Sequence, residues 1–296
     1  MTGPGVNYHF HDDASSDGRA PLAEHCDAAE AEGLTAICVT NHVERMLPSG
    51  RWIVELDEAV ERFSAEGRAA AEEDAARPGL DVRLGAEFEY RPEWTDDLDR
   101  LAERVSFDFV LGSLHVVDGL NVSGGPEVDE YFDGRSLEEA YAPYFEGLGE
   151  MVEWGGFDAV AHFDLVKRYG HDHYGDCDPG RFEDRIRGVL AAMADAGIGI
   201  EVNASGLAQA PAEPYPSSRI LAWAREDGVP FLTVGTDSHR PEDLATGLGR
   251  AAEAARRAGW TEVAVLEDRE IVDTRPLEPS RRSSAAGEAS EREDGR

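Results

Sequence analysis

Short apolar segments alternate along this chain with longer segments of helical periodicity, and this alternation limits the possible folds more than any other feature. The short segments are rich in Val, Ile and Phe, as buried strands are. Strands that alternate with helices are typical of a parallel sheet. The predicted strands are residues 5–11, 35–40, 81–88, 108–116, 157–163, 198–204 and 230–237.

Seven strands in a chain of 296 residues favour one large α/β barrel over two small domains. We assign residues 1–275 to this domain. The last segment, 276–296, has no large apolar residue after Leu277. It is predicted to be a disordered polar tail, because such a segment cannot offset the entropy lost on ordering.

The charge balance is strongly acidic, with 61 Asp and Glu against 28 Lys and Arg and a formal net charge of −33. Lys167 is the only lysine, and the composition resembles that of proteins from halophilic organisms. Such a surface repels nucleic acid and anionic membranes. Three scattered cysteines and the lack of any long apolar run predict a cytoplasmic protein. No pattern indicates an oligomeric state.

Histidines and carboxylates cluster at the predicted strand ends. Six of nine histidines follow strands, and in a parallel barrel all these ends share one face, where active sites form. His9 and His11 are two residues apart on an extended strand, so both can point to one ion. We predict that His25, His171 and His173 are not ligands. The converging set is His9, His11, His42, His115, His162 and His239, with Asp17, Glu44, Glu87, Asp164 and Asp237.

Nitrogen and oxygen ligands of this kind suit zinc, manganese or iron. The motifs that contain them resemble those of the PHP (polymerase and histidinol phosphatase) superfamily, from about residue 7 to residue 258. Within that superfamily they look most like histidinol-phosphatases. The motifs are YHFHDDASSDG (8–18), VTNHVE (39–44), GAEFEY (85–90), LGSLHVVD (111–118), AHFDLVKRYG (161–170), EVNASGL (201–207), EPYPS (213–217) and VGTDSH (234–239).

The resemblance implies a distorted (β/α)₇ barrel with up to three divalent ions at the carboxyl ends of the strands. One ion would be held by His9, His11 and Asp237. Glu87 would bridge it to a second ion, which His115 and His162 complete. A third ion would be held by Asp17, His42 and His239, with an aspartate at position 17 where some members have histidine.

The resemblance also implies a metal-dependent phosphomonoesterase, most similar to the enzymes that hydrolyse L-histidinol phosphate in histidine biosynthesis. The substrate would be a small phosphate ester. Guanidinium groups suit phosphate oxygens, which makes Arg168 and Arg240 candidates. Lys167 and Asn203 are further candidates for substrate binding. Asp164 and His239 are candidates for protonating the leaving alkoxide.

One departure concerns the substrate. Histidinol-phosphatases of this type usually carry a basic residue just after the NxSGL segment, whereas here Leu207 is followed by Ala208 and Gln209. If that basic residue binds the phosphate in those enzymes, a different residue must bind it in this chain.

Three alternatives remain open. The first is a PHP phosphoesterase acting on another phosphorylated metabolite, a nucleotide or nucleic acid. The second is an amidohydrolase, whose dinuclear members commonly bridge two ions with a carboxylated lysine. Lys167 lies past its strand end, and Glu87 already offers a bridge, so this class ranks lower. The third is a metal-storing or regulatory barrel without turnover, which would be expected to lack ligands that are present here.

Overall fold

The computed structural model describes residues 3–46 and 52–277. The central sheet contains seven parallel strands, and their order in the sheet follows their order in the sequence. The predicted seven-stranded parallel barrel is therefore confirmed. The strands are β1 (Val6–Asn7), β2 (Ala36–Val39), β3 (Asp81–Glu89), β4 (Phe109–Ser113), β5 (Ala159–Val160), β6 (Gly199–Asn203) and β7 (Leu232–Gly235).

The first and last strands meet and complete the barrel. The backbone N–H of Tyr8 donates to the carbonyl oxygen of Val234 at 2.8 Å, and that of His11 donates to Ser238 at 2.8 Å. These hydrogen bonds lie at or beyond the strand ends, because regular pairing in β1 covers only two residues. The barrel is therefore nearly closed on the side where the first and last strands meet.

Helices cover the outside of the sheet, so strands such as β2 and β6 are buried along their whole length. Helix α5 shows how the sequence sets these boundaries. It begins after a capping box formed by Ser136 and Glu139, and it ends at Gly155 with φ of 72°. The helices are α1 (Leu22–Glu32), α2 (Leu56–Ala76), α3 (Thr95–Arg104), α4 (Glu127–Phe132), α5 (Leu137–Trp154), α6 (Lys167–Tyr174), α7 (Glu183–Ala196), α8 (Ser218–Glu226) and α9 (Leu248–Arg257).

Shorter elements lie in the connections. Two ribbons pair Arg45–Met46 with Trp52–Ile53 and Val116–Val117 with Leu120–Asn121. The second ribbon and α4 both lie in the connection between β4 and α5. Single 3₁₀ turns occupy Pro179–Phe182, Ser205–Ala208 and Pro241–Asp243.

An antiparallel hairpin follows α9, formed by β8 (Glu262–Glu267) and β9 (Glu270–Pro276). The Tyr8 hydroxyl donates to the carbonyl oxygen of Leu266 at 3.0 Å, which attaches the hairpin to the start of the barrel. Leu277 is buried. The first two residues of the predicted tail therefore belong to the folded domain, and residues 278–296 lie outside the described part. None of the helices in the described ranges is long and apolar enough to cross a membrane.

Candidate metal centre

The strand ends bring the predicted ligands into three adjoining groups. In each group one nitrogen or oxygen atom per side chain lies within 4.8 Å of the others. The groups contain the nine predicted ligands, and His11 takes part in two of them. They are His9, His11 and Asp237; Glu87, His115 and His162; and His11, Asp17, His42 and His239.

Glu87 lies between these groups. Its Oε1 atom is 2.9 Å from Nε2 of His162. Its Oε2 atom is 3.0 Å from Nδ1 of His42, 3.5 Å from Nε2 of His9 and 3.6 Å from Nε2 of His11. This oxygen is buried and makes no hydrogen bond in the described structure. A buried carboxylate oxygen that faces several ring nitrogens without hydrogen-bond alignment fits a shared divalent cation.

The third group is the most open of the three. Oδ2 of Asp17 lies 3.0 Å from Nε2 of His239 and 3.5 Å from Nε2 of His42. The Ser15 hydroxyl donates to the other oxygen of Asp17 at 2.8 Å. The Asp17 side chain is 43% exposed. An ion at this position would therefore meet solvent and substrate directly.

Burial and neighbouring charges shift the pKa values of the cluster in opposite directions. Burial alone would lower the pKa of His9, but the surrounding carboxylates, led by Glu201, raise it well above its usual value. Burial would raise the pKa of Glu87, but the rings of His42 and His9 hold it well below its usual value. Burial and His42 lower the pKa of His11 to about 3. The ring of His11 is therefore neutral, and a nitrogen lone pair is available to bind a metal ion.

Two carboxylates behind the ligands position the histidine rings. Oε1 of Glu201 lies 2.8 Å from Nδ1 of His9, and Oε2 of Glu89 lies 2.7 Å from Nδ1 of His115. A carboxylate at Nδ1 fixes the tautomer and leaves Nε2 free for a metal. Both residues lie in the motifs GAEFEY and EVNASGL, whose sequence patterns alone indicate no role for them. Only the fold brings them behind histidines on other strands.

Two ligands adopt backbone conformations that are rare for residues other than glycine. His162 has φ of 26° and Asp237 has φ of 53°. Such conformations cost on the order of 1–3 kcal/mol each and concentrate at functional sites. Both residues follow barrel strands, so the turn aims each side chain into the cluster.

Six of the nine ligands line the floor of a cavity of about 440 Å³. One wall comes from the connection after β4, through Asn121, Ser123, Gly124 and Gly125. Two guanidinium groups also line the cavity. Arg168 was predicted, whereas Arg91 was not, and Arg91 stacks on Trp94 at 4.6 Å. The cavity thus combines a metal-binding floor with cationic side chains suited to an anion.

Lys167 and Arg240 occupy other positions. The Lys167 ammonium donates to Asp164, Glu213 and the carbonyl oxygen of Pro214, each at 2.9 Å. Its three donors are therefore all engaged, and the ammonium links the loop that contains Asp164 to the loop that contains Glu213 and Pro214. Arg240 is exposed, pairs with Glu242 at 3.8 Å and is not among the described residues that line the cavity. The geometry therefore argues against a phosphate contact for either side chain.

The contacts of Asn203, Asp164 and His239 favour tasks other than those predicted for substrate and proton transfer. Asn203 is buried and donates to Glu201 at 3.1 Å, so it supports the ligands from behind. One oxygen of Asp164 accepts from Lys167 and from the backbone N–H of Ser217. Asp164 lies outside the cavity lining in the described part of the chain.

His239 fits a ligand better than a proton donor. Its Nδ1 atom is 3.0 Å from the carbonyl oxygen of Asp237, and its Nε2 atom faces Asp17. An N–H at Nδ1 directs the Nε2 lone pair into the third group. A ring that holds an ion in this way has no further proton to give to an alkoxide.

The three remaining histidines lie outside the groups. His25 is fully buried and stacks on Phe10 at 5.2 Å. His171 and His173 lie on α6. His173 stacks on Phe132. None of the three joins a ligand group among the described residues.

Comparisons with known proteins agree with this arrangement. A family model for the PHP domain matches residues 7–205. The chain is 29% identical over 258 residues to a probable histidinol-phosphatase of Deinococcus radiodurans, covering 85% of this chain and 92% of that protein. It is 26% identical over 269 residues to the histidinol-phosphatase of Lactococcus lactis, covering 90% of this chain and 96% of that protein.

A solved structure shows the same fold. The histidinol phosphate phosphatase of Lactococcus lactis, crystallised with zinc, L-histidinol and phosphate, superposes with a TM-score of 0.78 at 23% identity. The match covers 90% of this chain and 98% of that one. The family model spans more than half of the chain and includes every predicted ligand except Asp237 and His239, which follow it. On these grounds, the chain belongs to the PHP domain family.

Proposed function

We propose that this protein is a metal-dependent phosphomonoesterase that hydrolyses L-histidinol phosphate to L-histidinol and phosphate. The observation that carries the proposal is the convergence of nine nitrogen and oxygen ligands, with Glu87 central among them, at and beneath the lining of a cavity. The relatives named histidinol-phosphatase support the choice of substrate, since the chain matches them over most of their length.

The three groups fit zinc, manganese or iron, because their donors are imidazole nitrogens and carboxylate oxygens. His9, His11 and Asp237 would hold one ion, and His115 and His162 a second, with Glu87 between them. Asp17, His42 and His239 would hold a third. Bound there, the ions would supply Lewis acidity that neutralises the charge on the phosphoryl oxygens.

The protein's own residues bind and orient the substrate. Arg168 lines the cavity, and its guanidinium would hold a phosphoryl oxygen. Glu201 and Glu89 keep the rings of His9 and His115 in the required tautomer. The cavity wall formed by residues 121–125 limits the access of water once substrate fills the space.

The geometry opposes the amidohydrolase alternative. Members of that class with a carboxylated lysine need that side chain between two ions. Lys167 is the only lysine of the chain, and its ammonium is held by Asp164, Glu213 and Pro214. Glu87 lies between ring nitrogens of different ligand groups, so its carboxylate would serve as the bridge in place of a carboxylated lysine.

The cellular setting follows from the same chemistry. Cys26, Cys38 and Cys177 are unpaired, as in a reducing cytoplasm. The strongly negative chain disfavours nucleic acid as a substrate and leaves a small phosphate ester as the partner.

Phosphate release tests the proposal. Purified protein, loaded with zinc or manganese in high salt, would be given L-histidinol phosphate, a nucleoside monophosphate, an aryl phosphate and single-stranded DNA. We expect selective turnover of L-histidinol phosphate that a chelator abolishes. Glu87→Gln should remove activity and bound metal, while Glu270→Gln, which alters an exposed residue of β9, should retain both. Preference for another ester would contradict the substrate, and activity of Glu87→Gln would contradict the site.

A further inference from the structure

The catalytic cavity contains one carboxylate that neither the metal groups nor the histidine contacts explain. The carboxylates that line it are Asp17, Glu44, Glu87, Glu89 and Asp237. Asp17, Glu87 and Asp237 belong to the ligand groups. Glu89 is engaged by His115, whose Nδ1 lies 2.7 Å away and whose backbone N–H donates at 3.1 Å. Among the described lining residues, only Glu44 is left without such a task.

Glu44 is buried with one oxygen unpartnered. The residue is only 8% exposed, and its Oε2 atom makes no hydrogen bond within the described structure. Its Oε1 atom is 3.7 Å from Nδ1 of His42, which is too far for a hydrogen bond. A buried carboxylate is costly unless a hydrogen-bonding group or a cation offsets its lost hydration. This wall of the cavity therefore favours a cationic hydrogen-bond donor.

We propose that Glu44 binds the ammonium group of the substrate and so selects phosphate esters of amino alcohols. This inference rests on the proposed function, since in L-histidinol phosphate the amine is on the carbon next to the one that bears the ester oxygen. Glu44 follows His42 by two residues, and their side chains approach each other. A cation bound by Glu44 would therefore lie beside the cluster, where the ester bond must be placed.

A positioning role for Glu44 would give a different result. If Glu44 only oriented the ring of His42, its loss would weaken the third metal group and slow every substrate equally. An ammonium contact affects only substrates that carry the amine. The two roles are separated by comparing substrates that differ in this group alone.

The test compares Glu44→Gln with the unaltered protein, both loaded with zinc. The substrates are L-histidinol phosphate and its desamino analogue, which keeps the imidazole and the phosphate ester. We expect Glu44→Gln to lower kcat/KM for L-histidinol phosphate by about 10- to 100-fold, the range for one hydrogen bond to a charged group. The value for the desamino analogue should change by less than about threefold, which is small beside that effect. Glu93→Gln, at an exposed residue after β3, controls for the loss of one negative charge.

Calorimetric binding of L-histidinol and of its desamino analogue to the same zinc-loaded proteins separates this inference from the proposed function. Amine-dependent binding that Glu44→Gln abolishes would support the inference even if L-histidinol phosphate were not turned over, and the proposed function alone would fail. Equal losses for both compounds, or no loss, would overturn the role of Glu44. Binding by the unaltered protein that ignores the amine would also overturn it.

Discussion

Replacing Glu201 with glutamine tests whether a carboxylate behind the cluster maintains metal binding. Its Oε1 atom is 2.8 Å from Nδ1 of His9. Its Oε2 atom accepts from the backbone N–H of His162 at 2.9 Å and from Nδ2 of Asn203 at 3.1 Å. Glutamine keeps one acceptor and converts the other into a donor. If the new amide nitrogen faces His9, it meets the Nδ1 proton unless His9 changes its tautomer. If it faces the other way, it meets the donors of His162 and Asn203.

The size of the effect follows from these contacts. Loss of a carboxylate that supports a metal-binding histidine lowers metal affinity by about 10- to 100-fold. A buried donor left without an acceptor costs about 1–3 kcal/mol. We expect Glu201→Gln to fold, to bind zinc about 10- to 100-fold more weakly, and to melt at a lower temperature.

Zinc affinity is measured by competition with a chromophoric chelator, and circular dichroism checks the fold. Glu242→Gln is the matched control, because Glu242 is exposed and its nearest cation, Arg240, lies 3.8 Å away. The control should bind zinc like the unaltered protein. If Glu201→Gln folds normally and binds zinc with unchanged affinity, the supporting role of this carboxylate is refuted.

Three further outcomes are expected. Gly235→Ala should reduce bound metal, because the added Cβ would lie 2.3 Å from Oε1 of Glu201 and from Cβ of His9. Gly188→Ala, whose Cβ would meet nothing within 4 Å, should leave the metal content unchanged, and metal analysis measures both. Lys167→Ala should lower the free energy of unfolding by about 3–5 kcal/mol, because the buried Asp164 loses its cation, with metal content unchanged. Zinc loading at pH 7 should release protons, because Glu89 outweighs burial and raises the pKa of His115 to about 9 in the metal-free protein. The ring holds its proton below that pH and loses it on ligation, so zinc affinity should rise with pH up to about 9; calorimetry in buffers of different ionisation enthalpy measures this.

The ligand groups could be predicted because each ligand belongs to a local pattern. A polar residue after an apolar strand is visible in the sequence, and the parallel barrel places all such ends on one face. Glu201 and Glu89 could not be assigned in this way. Each supports a histidine on another segment, so its role depends on strand order and on the direction of its side chain.

Lys167 makes contacts that the local sequence pattern did not predict. Its proximity to the HFDLV motif and its rarity suggested a substrate contact, but Asp164, three residues earlier, captures its ammonium. The hairpin β8–β9 was not among the predicted strands, although the sequence contains a pattern typical of a hairpin. The segment EVAVLEDREIVDT has two apolar runs, 263–266 and 271–272, on either side of Asp268 and Arg269, which both adopt positive φ. These residues lie beyond the motifs that carry the family resemblance.

The meeting of the first and last strands has a consequence for folding. Asn7 and Thr236, whose side chains share a hydrogen bond, are 229 positions apart, and the ligands His9 and Asp237 lie beside them. Contacts of such long range form slowly, because the intervening chain must first be brought together. During synthesis the ribosome must release β7 before the first ion can gain Asp237 as a ligand. Full metal binding at this site would therefore follow closure of the barrel. The bound metal would then stabilise the folded barrel against unfolding.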